Sequence, residues 1–347
     1  VFKRFIHMAG AALCLALSPL SLFPLATAPE AAARAGDRAP ETQRISRPDR
    51  RSLEYRLSWG LASIKADRAY KRGFDGRGVT VAMIDAGMTP DAMKLFARLS
   101  PSSTDLITRQ NAFSEGSHAR QTATLLSAPL DGEGTLGVAY GADLLSVRID
   151  ADGSCVQQCF AYADDLARGI DYAVANGAKV IAIPMVGTKR LKRAEPAIAR
   201  AAAAGALIVA AAGNDGAGEA SWPARYATDP RFRDSVLVVG ASTMAGEPAK
   251  WSNKAGSAAD RYILAPGENL LVDCDHRTCR QVSGTSYSVP YVAGAISLVM
   301  TANPALSAQD AAKILLASAS DRAHSGVDAT AGRGLLDVRR ALQMAEG

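Results

Sequence analysis

The sequence predicts an α/β fold, a mostly parallel central sheet with helices on both faces. Three observations carry this reading. Short runs of β-branched and small apolar residues recur at residues 79–84, 144–149, 180–183, 206–211 and 236–239. Unbroken apolar runs of that length suit strands buried on both sides. Helix-like stretches at 118–126, 162–175 and 188–204 lie between several of them. Strands alternating with helices build βαβ units, and hence a parallel sheet between two helical layers. Finally, one apolar run stops at Asp85 and another leads into Ala212-Gly213-Asn214. In open α/β sheets, functional groups collect at such strand ends.

The chain opens on a targeting segment. Lys3 and Arg4 precede an apolar stretch, residues 9–25, interrupted by Pro19 and Pro24 and followed by small residues up to Ala35. That order reads as a secretory signal peptide over residues 1–35, removed after export, with no stable membrane insertion afterwards. Residues 36–58 are rich in Arg, Pro, Ala and Glu without periodicity and read as a flexible lead. From residue 59 to 347 the pattern is regular, with no internal repeat and no domain break.

Within that body, residues 79–84 form the first strand, and Gly87 lets the chain turn away after Asp85. His118 opens a periodic stretch, so its imidazole stands at a helix N-terminus, a setting that suits a general base. Gly177 and Gly205 end two helices, as glycines in the left-handed conformation do. Ser283-Gly284-Thr285-Ser286-Tyr287-Ser288-Val289-Pro290 is a sharp loop feeding a buried helix through Met300. Gly284 gives the tight turn and Pro290 belongs to the first helical turn, where a missing N–H is harmless. Ser286 then stands at the helix N-terminus, where backbone N–H groups favour developing negative charge. Asn303-Pro304 ends that helix. Ser307 with Asp310, and then Asp337, start two more.

Composition sets outer limits. The 347 residues are 48% apolar and 21% charged with a formal net charge of +5, ordinary for a globular protein with a substantial core. Lys and Arg form no block with interleaved aromatics, which argues against nucleic-acid binding. Cys14 lies in the signal segment. In an exported chain the other cysteines are expected as disulfides, paired locally as Cys155 with Cys159 and Cys274 with Cys279. A four-cysteine zinc site is the alternative.

An Asp, a His, an Asn and a Ser thus stand at strand ends and helix starts, in that order. With them come Thr89-Pro90-Asp91, Gly137-Val138-Ala139-Tyr140-Gly141-Ala142, Trp222-Pro223-Ala224, Trp251-Ser252-Asn253, Ala265-Pro266-Gly267 and Gly332-Arg333-Gly334-Leu335-Leu336-Asp337. From about residue 59 onward the chain resembles the subtilisin-like serine proteases, the subtilases. The resemblance implies their three-layer fold and an Asp85–His118–Ser286 triad working through a covalent acyl-enzyme. It also implies an oxyanion hole from the Asn214 side chain and the Ser286 N–H. Pro184, Met185, Val186, Ala212 and Gly213 would line the substrate cleft. A polypeptide substrate and a monomeric, periplasmic or extracellular endopeptidase follow from the same resemblance. The chemistry requires no cofactor, and no metal is assigned. Many subtilases bind calcium through carboxylate-rich loops, but no such dense loop stands out here.

Some residues depart from the family pattern. Glu115 and Ser117 stand in a segment that is usually His-Gly-Thr-His. Pro184-Met185-Val186-Gly187 replaces a Ser-Leu-Gly type sequence, which suggests a narrowed pocket for small or medium apolar side chains. A catalytically silent binding module with a blocked cleft is the alternative reading. A serine esterase is a third, but the Gly-x-Ser-x-Gly elbow is absent around Ser286.

Overall fold

The computed structural model describes residues 47–346 apart from 94–95, 109–116, 155–159, 275–277 and 322–325. The signal peptide, most of the lead, Cys14, Glu115 and the Cys155–Cys159 pairing lie outside the described residues. Three short helices, Leu53–Leu57 (α1), Trp59–Ser63 (α2) and Asp67–Tyr70 (α3), precede the first strand, Thr80–Asp85 (β1). There follow Pro90–Met93 (α4), Thr104–Asp105 (β2), His118–Ser127 (α5), Asp143–Arg148 (β3), Ala163–Ala175 (α6), Val180–Ile183 (β4) and Glu195–Ala203 (α7). Leu207–Ala211 (β5), Val236–Ser242 (β6) and Tyr262–Pro266 (β7) lead to a hairpin of Leu270–Val272 (β8) and Arg280–Val282 (β9). Thr285–Ala302 (α8), Ala308–Ser318 (α9) and Val338–Ala345 (α10) complete the order.

Among the described residues seven strands form one sheet in the order β2-β3-β1-β4-β5-β6-β7, and every neighbouring pair in it is parallel. The fold is therefore the α/β fold with a mostly parallel sheet that the sequence predicts. From β1 the chain fills β2 and β3 on one side and then crosses to β4 on the other. Asp85 thus ends the strand beside which the strand order reverses, where open sheets leave a crevice.

Side chains alternate between two cores, as period two requires. Val81, Met83, Val180, Leu207, Leu237 and Ile263 pack on one face with α5, α8, α9 and α10. Ala82, Ile84, Ile181, Ile208, Val238 and Leu264 pack on the other with α6 and α7. Helix α8 lies across β4–β7, and its residues from Val289 to Val299 are all buried. A helix apolar all round is a core helix.

Several boundaries differ from the sequence reading. The end of the supposed flexible lead forms α1, capped by the Ser52 side chain, with Glu54 and Tyr55 buried. One turn and a half is too short for a hydrophobic period to register. Helix α7 starts at Glu195, with Pro196 in its first turn, whereas residues 188–191 are non-helical. β7 lies outside the apolar runs read as strands, and its five residues end on a proline. Pro290 is the sixth residue of α8 rather than part of its first turn, so the Ser286 carbonyl has no helical N–H to receive. Gly284 is extended (φ 160°), so its value is small size: a Cβ there would sit 3.3 Å from the Tyr287 ring. The caps at Ser307 and Asp337 form as expected, each side chain accepting a backbone N–H three residues on.

Candidate active site

Asp85 is 1% exposed, and a carboxylate so buried must be paired to remain charged. Its partners come from two elements. The Ala86 N–H donates to Oδ1 at 2.7 Å, and the Thr122 hydroxyl donates to Oδ2 at 2.9 Å. His118 Nδ1 lies 2.8 Å from Oδ1 and 3.0 Å from Oδ2. A protonated Nδ1 donating to this carboxylate leaves Nε2 as the acceptor. His118 is the first residue of α5, and Thr122 follows four positions later on the same helical face. One side of α5 thus grips both ends of the Asp85 carboxylate. Burial works against a charge on His118, but attraction by Asp85 and the hydrogen bond to it outweigh burial and raise its pKa above the ordinary 6.5.

Ser286 is the second residue of α8 and 8% exposed, so its hydroxyl stands in the first turn with the free N–H groups. The ring of Tyr287 packs at 5.5 Å from that of His118, which brings α5 and the start of α8 together. Among the described residues, no hydrogen bond joins Ser286 Oγ to the imidazole.

Asn214 follows β5 and is exposed. Its Oδ1 accepts both the Thr285 N–H at 2.8 Å and the Thr285 hydroxyl at 2.9 Å. That double contact fixes the amide and leaves Nδ2 to point elsewhere. Thr285 is fully buried, and its hydroxyl also accepts the Gly213 N–H at 3.1 Å. It therefore clamps the end of β5 to the start of α8. Gly213 must be glycine: φ is +114°, and a Cβ would fall 2.3 Å from Asn253 Nδ2.

Of the five expected cleft residues, Pro184, Ala212 and Gly213 are buried, Met185 is half-buried and Val186 is 41% exposed. Gly187 pairs through both backbone groups with Trp222, which ties this stretch to the Trp222-Pro223 turn. Of these five, Met185 and Val186 are the ones whose side chains reach the surface. Cys274 and Cys279 form a disulfide. Among the described residues no group of three or more His, Cys, Asp or Glu side chains is arranged to hold a metal ion. No helix among them is long and apolar enough to cross a membrane.

The sequence reading assigns no supporting role to Thr122, Gln121, Thr285 or Tyr287. The i to i+4 spacing of His118 and Thr122 was the available signal for one of them. The others act across folds of the chain that local pattern does not reveal.

Comparison with known proteins identifies the family. The model of the subtilase family, Peptidase S8, matches residues 76–334. Subtilisin Savinase of Lederbergia lenta is 33% identical over 255 residues, which cover 72% of this chain and 87% of that protein. The alkaline protease of Alkalihalobacillus alcalophilus is also 33% identical over 255 residues, and the match spans 61% of its length. Subtilisin DY of Bacillus licheniformis is 28% identical over 293 residues, covering 83% of this chain and 99% of that protein.

Proposed function

The chain belongs to the subtilase family of serine-type endopeptidases, and on that premise we propose that it cleaves polypeptides with Asp85, His118 and Ser286 as its triad. The observation that carries this reading is the buried Asp85 carboxylate, bound through both oxygens to His118 Nδ1 one helical turn from the Thr122 clamp. Ser286 Oγ attacks the peptide carbonyl carbon while His118 Nε2 takes its proton. Asp85 keeps the proton of Nδ1 in place and stabilises the imidazolium. The carbonyl oxygen becomes an oxyanion between Asn214 Nδ2 and the Ser286 N–H. His118 returns the proton to the departing amine, and the C–N bond breaks. Water, deprotonated by the same imidazole, then releases the acid product and regenerates Ser286 Oγ–H. The step from Ser286 to Nε2 closes as substrate arrives, since such bonds are often loose in ligand-free enzymes.

Exposed Val186 and half-buried Met185 support a cleft that prefers small or medium apolar side chains at the cleavage site. A peptide library in which Arg, Lys or large aromatics lead at that position excludes this preference. The signal-like residues 1–35 support export to the periplasm or medium.

The test of the chemistry is to treat the purified protein with a fluorophosphonate and locate the adduct by peptide mapping. Label on Ser286, lost in Ser286→Ala, together with cleavage of casein, is the expected result. Hydrolysis of a simple ester without casein cleavage makes it an esterase instead. No label at Ser286 ends the triad assignment.

A further inference from the structure

Beyond the triad, a chain of side chains leads from His118 to the hairpin β8–β9. Asp85 secures the imidazole at Nδ1 alone, so the ring can still tilt about that contact. The Tyr287 ring closes off that freedom from the side, 5.5 Å between centroids and inclined by 51°. Tyr287 is itself tethered: its hydroxyl donates to Gln121 Oε1 at 2.9 Å. Gln121 is 3% exposed, and its Nε2 donates to Asp273 Oδ2 at 2.8 Å and to Ser117 Oγ at 3.3 Å. Asp273 Oδ1 forms an ion pair with Arg120, the neighbour of Gln121 on α5. Asp273 has a φ of +51° and directly precedes Cys274, which the disulfide to Cys279 ties back across the hairpin. Burial first, then the charges of Asp85 and Asp273, push the Tyr287 phenol up to about 12, so it stays a donor throughout the working range.

We propose that Tyr287 is a positioning residue for the His118 imidazole, and that it acts through Gln121 with Asp273 of the disulfide-closed hairpin as its anchor. This rests on the reading of Asp85, His118 and Ser286 as a triad. Each link is a donor meeting an acceptor: phenol to amide oxygen, amide nitrogen to carboxylate, guanidinium to the same carboxylate. Every member has its orientation fixed by the next. The aromatic ring that reaches His118 is therefore held from a point outside the reaction centre. In substrate turnover this shortens the search of Nε2 for the Ser286 proton and leaves the cleft unchanged.

The test uses Tyr287→Phe, Asp273→Asn and the two combined. Read out are kcat and KM on a peptide substrate, the pH profile of kcat/KM, the melting temperature, and fluorophosphonate labelling of Ser286. Tyr287→Phe keeps the ring and removes only its tether, so kcat falls roughly tenfold, because small misplacements of a reacting group carry such losses. KM stays within about twofold, since no substrate contact is removed. Among the described residues, the titratable groups facing the ring are Asp85 and Tyr287, so a loosened ring moves the pH midpoint down, towards 6.5. Because both residues act through one chain, the double variant loses no more than the worse single variant, where independent effects would multiply. Wild-type kcat and pH midpoint in Tyr287→Phe, multiplicative losses, or losses that follow melting temperature overturn the proposal. If the wild type labels at Ser286 while Tyr287→Phe is unaltered, only this inference falls. If the wild type fails to label there, the triad reading falls with it.

Discussion

Replacing Asn214 by alanine tests two roles of one amide at once. The Nδ2 group is the proposed donor to the oxyanion, and removing one such donor lowers turnover by about 10²–10³, or roughly 3–4 kcal/mol of barrier. The Oδ1 atom does something different. It accepts the Thr285 N–H at 2.8 Å and the Thr285 hydroxyl at 2.9 Å, and Thr285 is fully buried. A buried donor left without an acceptor costs about 1–3 kcal/mol, so two set an upper bound near 6 kcal/mol. Asn214 is exposed, however, so water can enter the vacated space and satisfy part of the loss. That places the stability change nearer 1–2 kcal/mol. Asn214→Asp separates the roles, since a carboxylate keeps an acceptor for Thr285 and supplies no donor. It should unfold in urea close to wild type, yet lose at least as much kcat as Asn214→Ala, because its charge opposes the oxyanion. Kinetics on a chromogenic peptide and urea titrations measure both quantities. Asn214→Asp retaining kcat within about tenfold of wild type refutes the assignment of Nδ2 as the oxyanion donor.

Three further outcomes follow from the same geometry. Thr122→Val removes one of the hydrogen bonds to the buried Asp85 carboxylate with little change of shape, so it lowers stability by about 1–3 kcal/mol and kcat as well; unchanged urea midpoints and kcat contradict this role. His118 titrates above 6.5 because Asp85 outweighs burial, so neutral, base-competent imidazole accumulates only at higher pH, and kcat/KM rises with pH through a midpoint above that value. By linkage, the stability this pair contributes is full below 6.5 and is lost as pH rises through the raised value. The midpoint is read directly by NMR in Ser286→Ala; adding Asp85→Asn leaves burial acting alone and brings it to 6.5 or lower, and a midpoint that does not fall rejects Asp85 as the cause. Replacing Cys274 and Cys279 by serine opens a loop whose ends are five residues apart, which the chain-entropy relation values at about 2 kcal/mol; thermal unfolding with no change speaks against that contribution.

Much of this architecture was legible before the structure because parallel strands announce themselves as short apolar runs. The runs at 180–183 and 236–239 lie within β4 and β6, and the positive φ of Gly177 and Gly205 accompanies the helix ends placed there. Asp85, His118 and Ser286 each sit at an element boundary, but it is the resemblance to the subtilases that groups them. The supporting residues had no such guide. Thr122 reaches Asp85 across 37 positions, and Tyr287 reaches Gln121 across 166. A threonine inside an amphipathic helix or a tyrosine after a serine carries no local mark of such a partner. Position in the chain also misled for α1, whose few residues bury Glu54 and Tyr55 through contacts made elsewhere.

The placement of Asp85 shows how much of its pairing with His118 rests on strand parity. In β1, Val81 and Met83 belong to the core under α5 and α8, while Ala82 and Ile84 belong to the core under α6 and α7. Asp85 continues the odd series, so its carboxylate emerges on the side where α5 supplies His118 and Thr122. The register of β1 against β3 and β4, Met83 opposite Ser146 and Ala182, fixes that parity from both neighbours. A slip of one residue would carry Asp85 to the opposite face and expose the apolar side chains of the strand to the wrong layer. The hydrophobic pattern that holds the sheet in register is therefore also what aims the carboxylate at the histidine. Burial then adds its own constraint, because a carboxylate 1% exposed is tolerable only with its hydrogen bonds made. Packing and the Asp85–His118 contact thus select the same register, and neither can be altered at β1 without the other.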